Sequence, residues 1–79
     1  MSTYRITLPH DYNSEADNAA LECQFPGLAG EELDDAAFEE ISRLWPGLKM
    51  VRPIDFGGIF ESATPPPADL PRWAWVEEA

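Results

Sequence analysis

From Asp11 to Glu40 the chain contains no lysine and no arginine, although ten of its fifteen acids lie there. Outside that window five acids and five bases cancel, so the whole net charge of −10 belongs to one block of the 79-residue chain. A block of one sign projects a directional field, which attracts basic surfaces and repels nucleic acid and anionic lipid. Direct binding to either is therefore excluded as a main role. Cysteine is nearly missing too. With Cys23 alone there is no internal disulfide framework, and the usage fits a reducing cytoplasm. The longest stretch free of charge is the eight residues Cys23–Gly30, well short of the ~20 that cross a bilayer. The N-terminus lacks the apolar core of a secretory signal.

The chemistry of common active sites is also scarce. There is one histidine, and neither a glycine-rich phosphate loop nor a nucleophile elbow. His10 and Asp11 are neighbours on an extended stretch, where consecutive side chains point apart, so His10 reads as a surface residue at a strand end. Asp11, Asn13, Glu15, Asp17 and Glu22 fall at positions 1, 3, 5, 7 and 12 of a calcium loop. However, Ala16 stands where the sharp turn needs glycine, and Pro9 leaves no helix before the loop. No metal, no cofactor and no enzymatic activity are expected.

What is present argues for a folded domain. Hydrophobic residues make up 44% of the chain and include three Trp, four Phe and two Tyr, enough to rule out a disordered polar chain. At this length a single domain spanning residues 1–79 with one thin core is expected. Thr3–Leu8 alternates apolar and polar residues as a half-buried strand does. Leu21–Phe25 alternates likewise and reads as a second strand paired with the first, with Cys23 on its inward face. A short helix capped by Ser14 fits between them. Phe25-Pro26-Gly27-Leu28 and Trp45-Pro46-Gly47-Leu48 read as two turns, because Pro presets the first central residue and Gly supplies positive φ at the next.

Between those turns Leu33, Ala37, Ile41 and Leu44 recur at helical spacing, predicting a helix over Glu31–Trp45. Glu31, Glu32, Asp34 and Asp35 crowd its first turns, and Arg43 lies four residues after Glu39, in the favourable order. Leu48–Arg52 reads as a strand, with Pro53 marking an edge or an end. Gly57-Gly58 reads as a turn or bulge before a strand at Ile59–Glu61. The proline-rich stretch Ser62–Pro71 reads as an extended connector, and Arg72–Val76 as a strand with Trp73 and Trp75 on one face, both feeding the core. The expected fold class is α+β: one main helix packed on an antiparallel sheet of four or five short strands.

On a helical wheel Glu31, Glu32, Asp35 and Glu39 gather opposite Leu33, Ala37, Ile41 and Leu44. They form an anionic stripe about 12 Å long at 1.5 Å rise per residue. Asp11, Glu15, Asp17 and Glu22 add charge from the preceding segment. A solvated face would serve solubility, but solubility is served by mixed signs, and unpaired like charges on a helix cost stability. DNA presents regularly spaced phosphates to basic grooves, and a rigid array of carboxylates can imitate them. The eight acids are therefore the candidate contacts to a basic nucleic-acid-binding protein, reached by electrostatic steering. The strong net charge favours a monomer.

Small size, strong acidity and the absence of enzymatic motifs resemble the phage-borne anti-CRISPR proteins, several of which act as DNA mimics. The opening MSTYRITLP and the tail PRWAWVEEA are similar to inhibitors of type I-C Cascade. The resemblance implies a protein of the bacterial host cytoplasm that blocks target-DNA or PAM binding at a basic surface of the crRNA-guided complex, on its large subunit. The class has no diagnostic motif, so the resemblance assigns no site residue. The same electrostatics would suit an immunity protein or antitoxin capping the basic active site of a nuclease toxin, or an acidic phage protein of structural use.

Overall fold

The computed structural model describes residues 1–10 and 13–79. The first strand, β1 (Ser2–Thr7), follows from its alternation. Tyr4 and Ile6 are buried while Thr3 and Arg5 are exposed. Leu8 and Pro9 continue into the interior beyond its end.

The next element corrects the expectation. Leu21–Phe25 is not a strand. It is the last turn and C-cap of a helix, α1 (Glu15–Gln24), whose N-cap Ser14 accepts the Asp17 N–H at 3.3 Å. Asn18, Leu21 and Phe25 give helical spacing to the inward side, and the Ala19-Ala20-Leu21-Glu22 run consists of good helix formers. Residues two apart on a helix face nearly opposite ways, so Cys23 is exposed and does not share the buried side of Leu21.

The main helix, α2 (Gly30–Leu44), buries Leu33, Ala37 and Ile41 and ends at Trp45, whose N–H bonds the Ile41 carbonyl. Both turns form as expected. Gly27 and Gly47 take φ of 86° and 90°, and the Leu28 and Leu48 N–H groups reach back to the carbonyls of Phe25 and Trp45. L-residues with a Cβ disfavour that backbone region, and glycine does not.

Strands β2 (Lys49–Ile54), β3 (Gly57–Ser62) and β4 (Trp75–Glu78) complete a four-stranded sheet. Its order is β2-β3-β1-β4 with every neighbouring pair antiparallel. Pro53 lies in edge strand β2, as its missing N–H requires. Two local expectations change. The β2–β3 turn is Asp55-Phe56, with Phe56 at φ 63°, and Gly57 and Gly58 belong to β3. The sheet irregularity lies instead in β2, between Met50 and Arg52. Trp73 precedes β4 in a turn closed by Ala74 N–H to the Pro71 carbonyl. Trp73 and Trp75 therefore do not share a strand face: Trp73 is fully buried and Trp75 half-buried.

The fold is α+β, and among the described residues the main helix is accompanied by the expected Ser14-capped helix, longer than expected because it takes in Leu21–Gln24. Both pack on the sheet face that carries Tyr4, Ile6 and Phe60, joining Leu21, Leu33, Ala37, Ile41, Trp45 and Trp73 in one core. The Trp45 ring meets Tyr4 edge-on at 5.0 Å, and its indole N–H is shared by Ser62 Oγ (3.0 Å) and Thr64 Oγ1 (3.1 Å). Among the described residues the other sheet face carries no helix. By register it bears Arg5, Lys49 and Arg52 beside Glu61 and Glu77. Among the described residues no helix is long and apolar enough to cross a membrane.

Candidate anionic partner-binding face

Helix α2 separates its two chemistries by geometry alone. With Leu33, Ala37 and Ile41 turned into the core, Glu31, Glu32, Asp35 and Glu39 must emerge on the opposite side, and all four are exposed. Among the described residues none of the four makes a side-chain hydrogen bond or ion pair. Arg43 does not pair with Glu39. Its guanidinium takes Glu40 in a two-pronged contact, Nε to Oε1 at 2.7 Å and Nη2 to Oε2 at 2.8 Å. That contact holds the Glu40 carboxyl below its ordinary range. At a separation of three residues the planar guanidinium meets both carboxylate oxygens, so Glu39 stays open to solvent.

The acids of the preceding segment divide. Glu15 is exposed at the start of α1 and makes no ion pair among the described residues. Asp17 is taken up by the fold. It accepts the Trp75 indole N–H at 2.9 Å and Arg72 Nε at 2.8 Å, clamping the C-terminal segment onto α1. The Trp75 bond first, then the Arg72 bond, lower its pKa, which marks a carboxylate already satisfied. Glu22 accepts Asn18 Nδ2 at 3.2 Å. Asp11 lies outside the described residues. Of the eight sequence-expected contacts, the fold thus brings four together on α2, leaves Glu15 and Glu22 at the side, and spends Asp17. Glu15, Asp17 and Glu22 stand on a helix, where they cannot wrap one ion as a twelve-residue loop does.

One acid outside the expected set gains weight. Asp34 is half-buried beside a cleft of about 190 Å³ between the end of β1, α1 and the start of α2. The cleft is walled by Pro9, Leu21 and Leu33, with Glu22 and Asp34 at its polar side. Burial raises the Asp34 pKa above its ordinary value. The field of His10 opposes this, and those of Asp35 and Glu31 add to it. His10 also borders the cleft and is not a surface residue: it is half-buried, its ring 4.1 Å from that of Phe56.

Comparison of the chain with known protein families, with curated proteins and with solved structures finds no match.

The charge map is therefore one-sided. The four open carboxylates of α2 lie on the helical layer, while Arg5, Lys49 and Arg52 lie on the bare sheet face. Three of the five bases are paired with acids, Arg43 with Glu40, Arg72 with Asp17 and Arg5 with Glu77.

Proposed function

We propose that the protein is an acidic DNA mimic that occupies a basic DNA-binding surface and so blocks it, acting in the bacterial cytoplasm as an anti-CRISPR inhibitor of type I-C Cascade. The observation that carries this reading is the row of exposed, unpaired carboxylates Glu31, Glu32, Asp35 and Glu39 on one rigid helix. Glu31, Asp35 and Glu39 rise in steps of about 6 Å, four residues at 1.5 Å each. One DNA strand rises 3.4 Å per phosphate, so each carboxylate falls near every second phosphate of a strand it replaces. The helix is anchored by its buried face, so the row is preformed, and little ordering entropy opposes docking. The side of Cascade it suits is the basic large-subunit surface that receives target DNA and its PAM. A monomer suffices for this task, since the row lies within one chain.

The test is competition. Cascade is incubated with labelled target DNA and increasing amounts of the protein, wild type or carrying Glu32→Gln, Asp35→Asn and Glu39→Gln together. The wild type should displace DNA. The triple variant should need at least about tenfold more protein, as expected for three lost charge contacts. Its melting temperature should hold or rise, because like-charge repulsion falls. A folded triple variant that blocks as well as wild type would remove the stripe as the site. A wild type that leaves DNA bound would remove Cascade as the partner and bring forward the nuclease-toxin reading.

A further inference from the structure

The cleft beside Asp34 has no role in the stripe, yet its chemistry is specific. We propose that it is a socket for one arginine or lysine side chain of the basic partner, the anchor about which the flatter stripe docks. This rests on the DNA-mimic reading for its partner but on separate observations for its site. First, the site is concave, about 190 Å³, where the stripe is convex. Second, its walls are Pro9, Leu21 and Leu33, apolar surfaces suited to the methylene stem of a long cationic side chain.

Third, its polar side is anionic. Asn18 holds Glu22 in place, and Asp34, on which the field of His10 in the same lining acts, makes no side-chain hydrogen bond or salt bridge among the described residues. A half-buried carboxylate without a donor is costly and is relieved by a cation that brings its own N–H groups. The uncapped start of α2 at Ala29 adds some positive potential at the rim, but Glu31 and Glu32 in its first turn offset it. With Glu22 and Asp34 at the polar side against His10 alone, the cleft disfavours a phosphate or other anion. Arginine is also, with Trp and Tyr, among the residue types enriched at protein–protein hot spots.

The experiment uses the whole protein, labelled with ¹⁵N, and three probes at constant ionic strength: N-acetyl-arginine amide, N-acetyl-lysine amide, and the neutral citrulline analogue. Either cationic probe should give saturable shifts of the backbone signals at Asn18–Glu22 and Gly30–Asp34, and the citrulline analogue none. Whichever of the two binds more tightly names the side chain. Asp34→Asn should weaken that binding by about tenfold, and Glu22→Gln should weaken it less. Of the stripe, the changes whose carboxylates do not act on Asp34, Glu32→Gln and Glu39→Gln, should leave it unchanged. Shifts spread evenly along the exposed carboxylates without saturation, or an Asp34→Asn protein that binds as well as wild type, would overturn the socket. Failure of the mimic reading registers separately: the probe would still saturate the cleft while wild-type protein left DNA on Cascade.

Discussion

Asp17 and Asp34 are one residue type with opposite fates, and the difference is a donor. Asp17 has two strong ones, the Trp75 indole and the Arg72 guanidinium, and its folded pKa is depressed. Its stabilisation is complete above the unfolded value of about 3.9 and fades as the pH falls through the lower folded value. Asp17→Asn should therefore lower the melting temperature at neutral pH, and the gap from wild type should narrow as the pH drops below about 4. Asp34 has no such donor among the described residues, and burial raises its folded pKa. The folded state prefers its protonated form, so that preference is fully present below the unfolded pKa and is lost as the pH rises through the folded one. At neutral pH its ionised form is a liability, and Asp34→Asn should raise the melting temperature while weakening the partner. A calorimetric scan of the two variants at pH 3 and pH 7 checks both signs. An Asp34→Asn protein less stable at pH 7 would mean that the carboxylate has a structural donor.

Whole elements were legible in the sequence to the degree that their pattern was long. The fifteen residues of α2 repeat their apolar positions over four turns, and its two ends carry turn signals, so its span was read to within a residue. The five residues Leu21–Phe25 fit period two and period 3.6 about equally, and nothing local decides between them. What decides is the Ser14 cap upstream and the need to cover the Tyr4/Ile6 face of the sheet. The exposed stripe could be read from a wheel because it depends on α2 alone. The Asp34 cleft could not, because it exists only where β1, α1 and α2 converge. Gly57 likewise has the pattern of a turn residue, but its role is close approach. A Cβ there would strike the carbonyl of Ile6 across the β1–β3 ladder, with backbone rather than a flexible side chain in the way. Gly57→Ala should thus cost about 2 kcal/mol or more by forcing the ladder apart. Gly47→Ala, strained only in its own turn, should cost about 1 kcal/mol. Urea midpoints of the two variants test the order, and equal costs would mean that β3 shifts freely.

For the molecule as a whole, the arrangement amounts to a charge dipole laid across a two-layer fold. The helical layer carries the open acids, and the bare sheet face carries Arg5, Lys49 and Arg52 beside Glu61 and Glu77, a near balance of charge. A dipole orients as well as attracts, so a basic partner should meet the helices first. The field of exposed charges decays over about 8 Å at physiological ionic strength. The association rate with Cascade should therefore fall about tenfold or more between 50 and 500 mM salt, with a much smaller change in the dissociation rate. Net charge alone would give the same trend, so the control must alter charge without touching the helices. Lys49→Glu with Arg52→Glu makes the protein still more acidic, but on the face turned away from the helices. Orientation by the helical layer predicts an unchanged or slightly faster association for this variant. Reversal of Glu31, Asp35 and Glu39 to Lys predicts a much slower one, because a basic partner then meets repulsion where it had attraction. Surface-plasmon kinetics on both variants at two salt concentrations separate the cases. A large loss for the Lys49/Arg52 variant, with the helix variant intact, would assign docking to the open sheet face and leave the acidic helix as solvated surface.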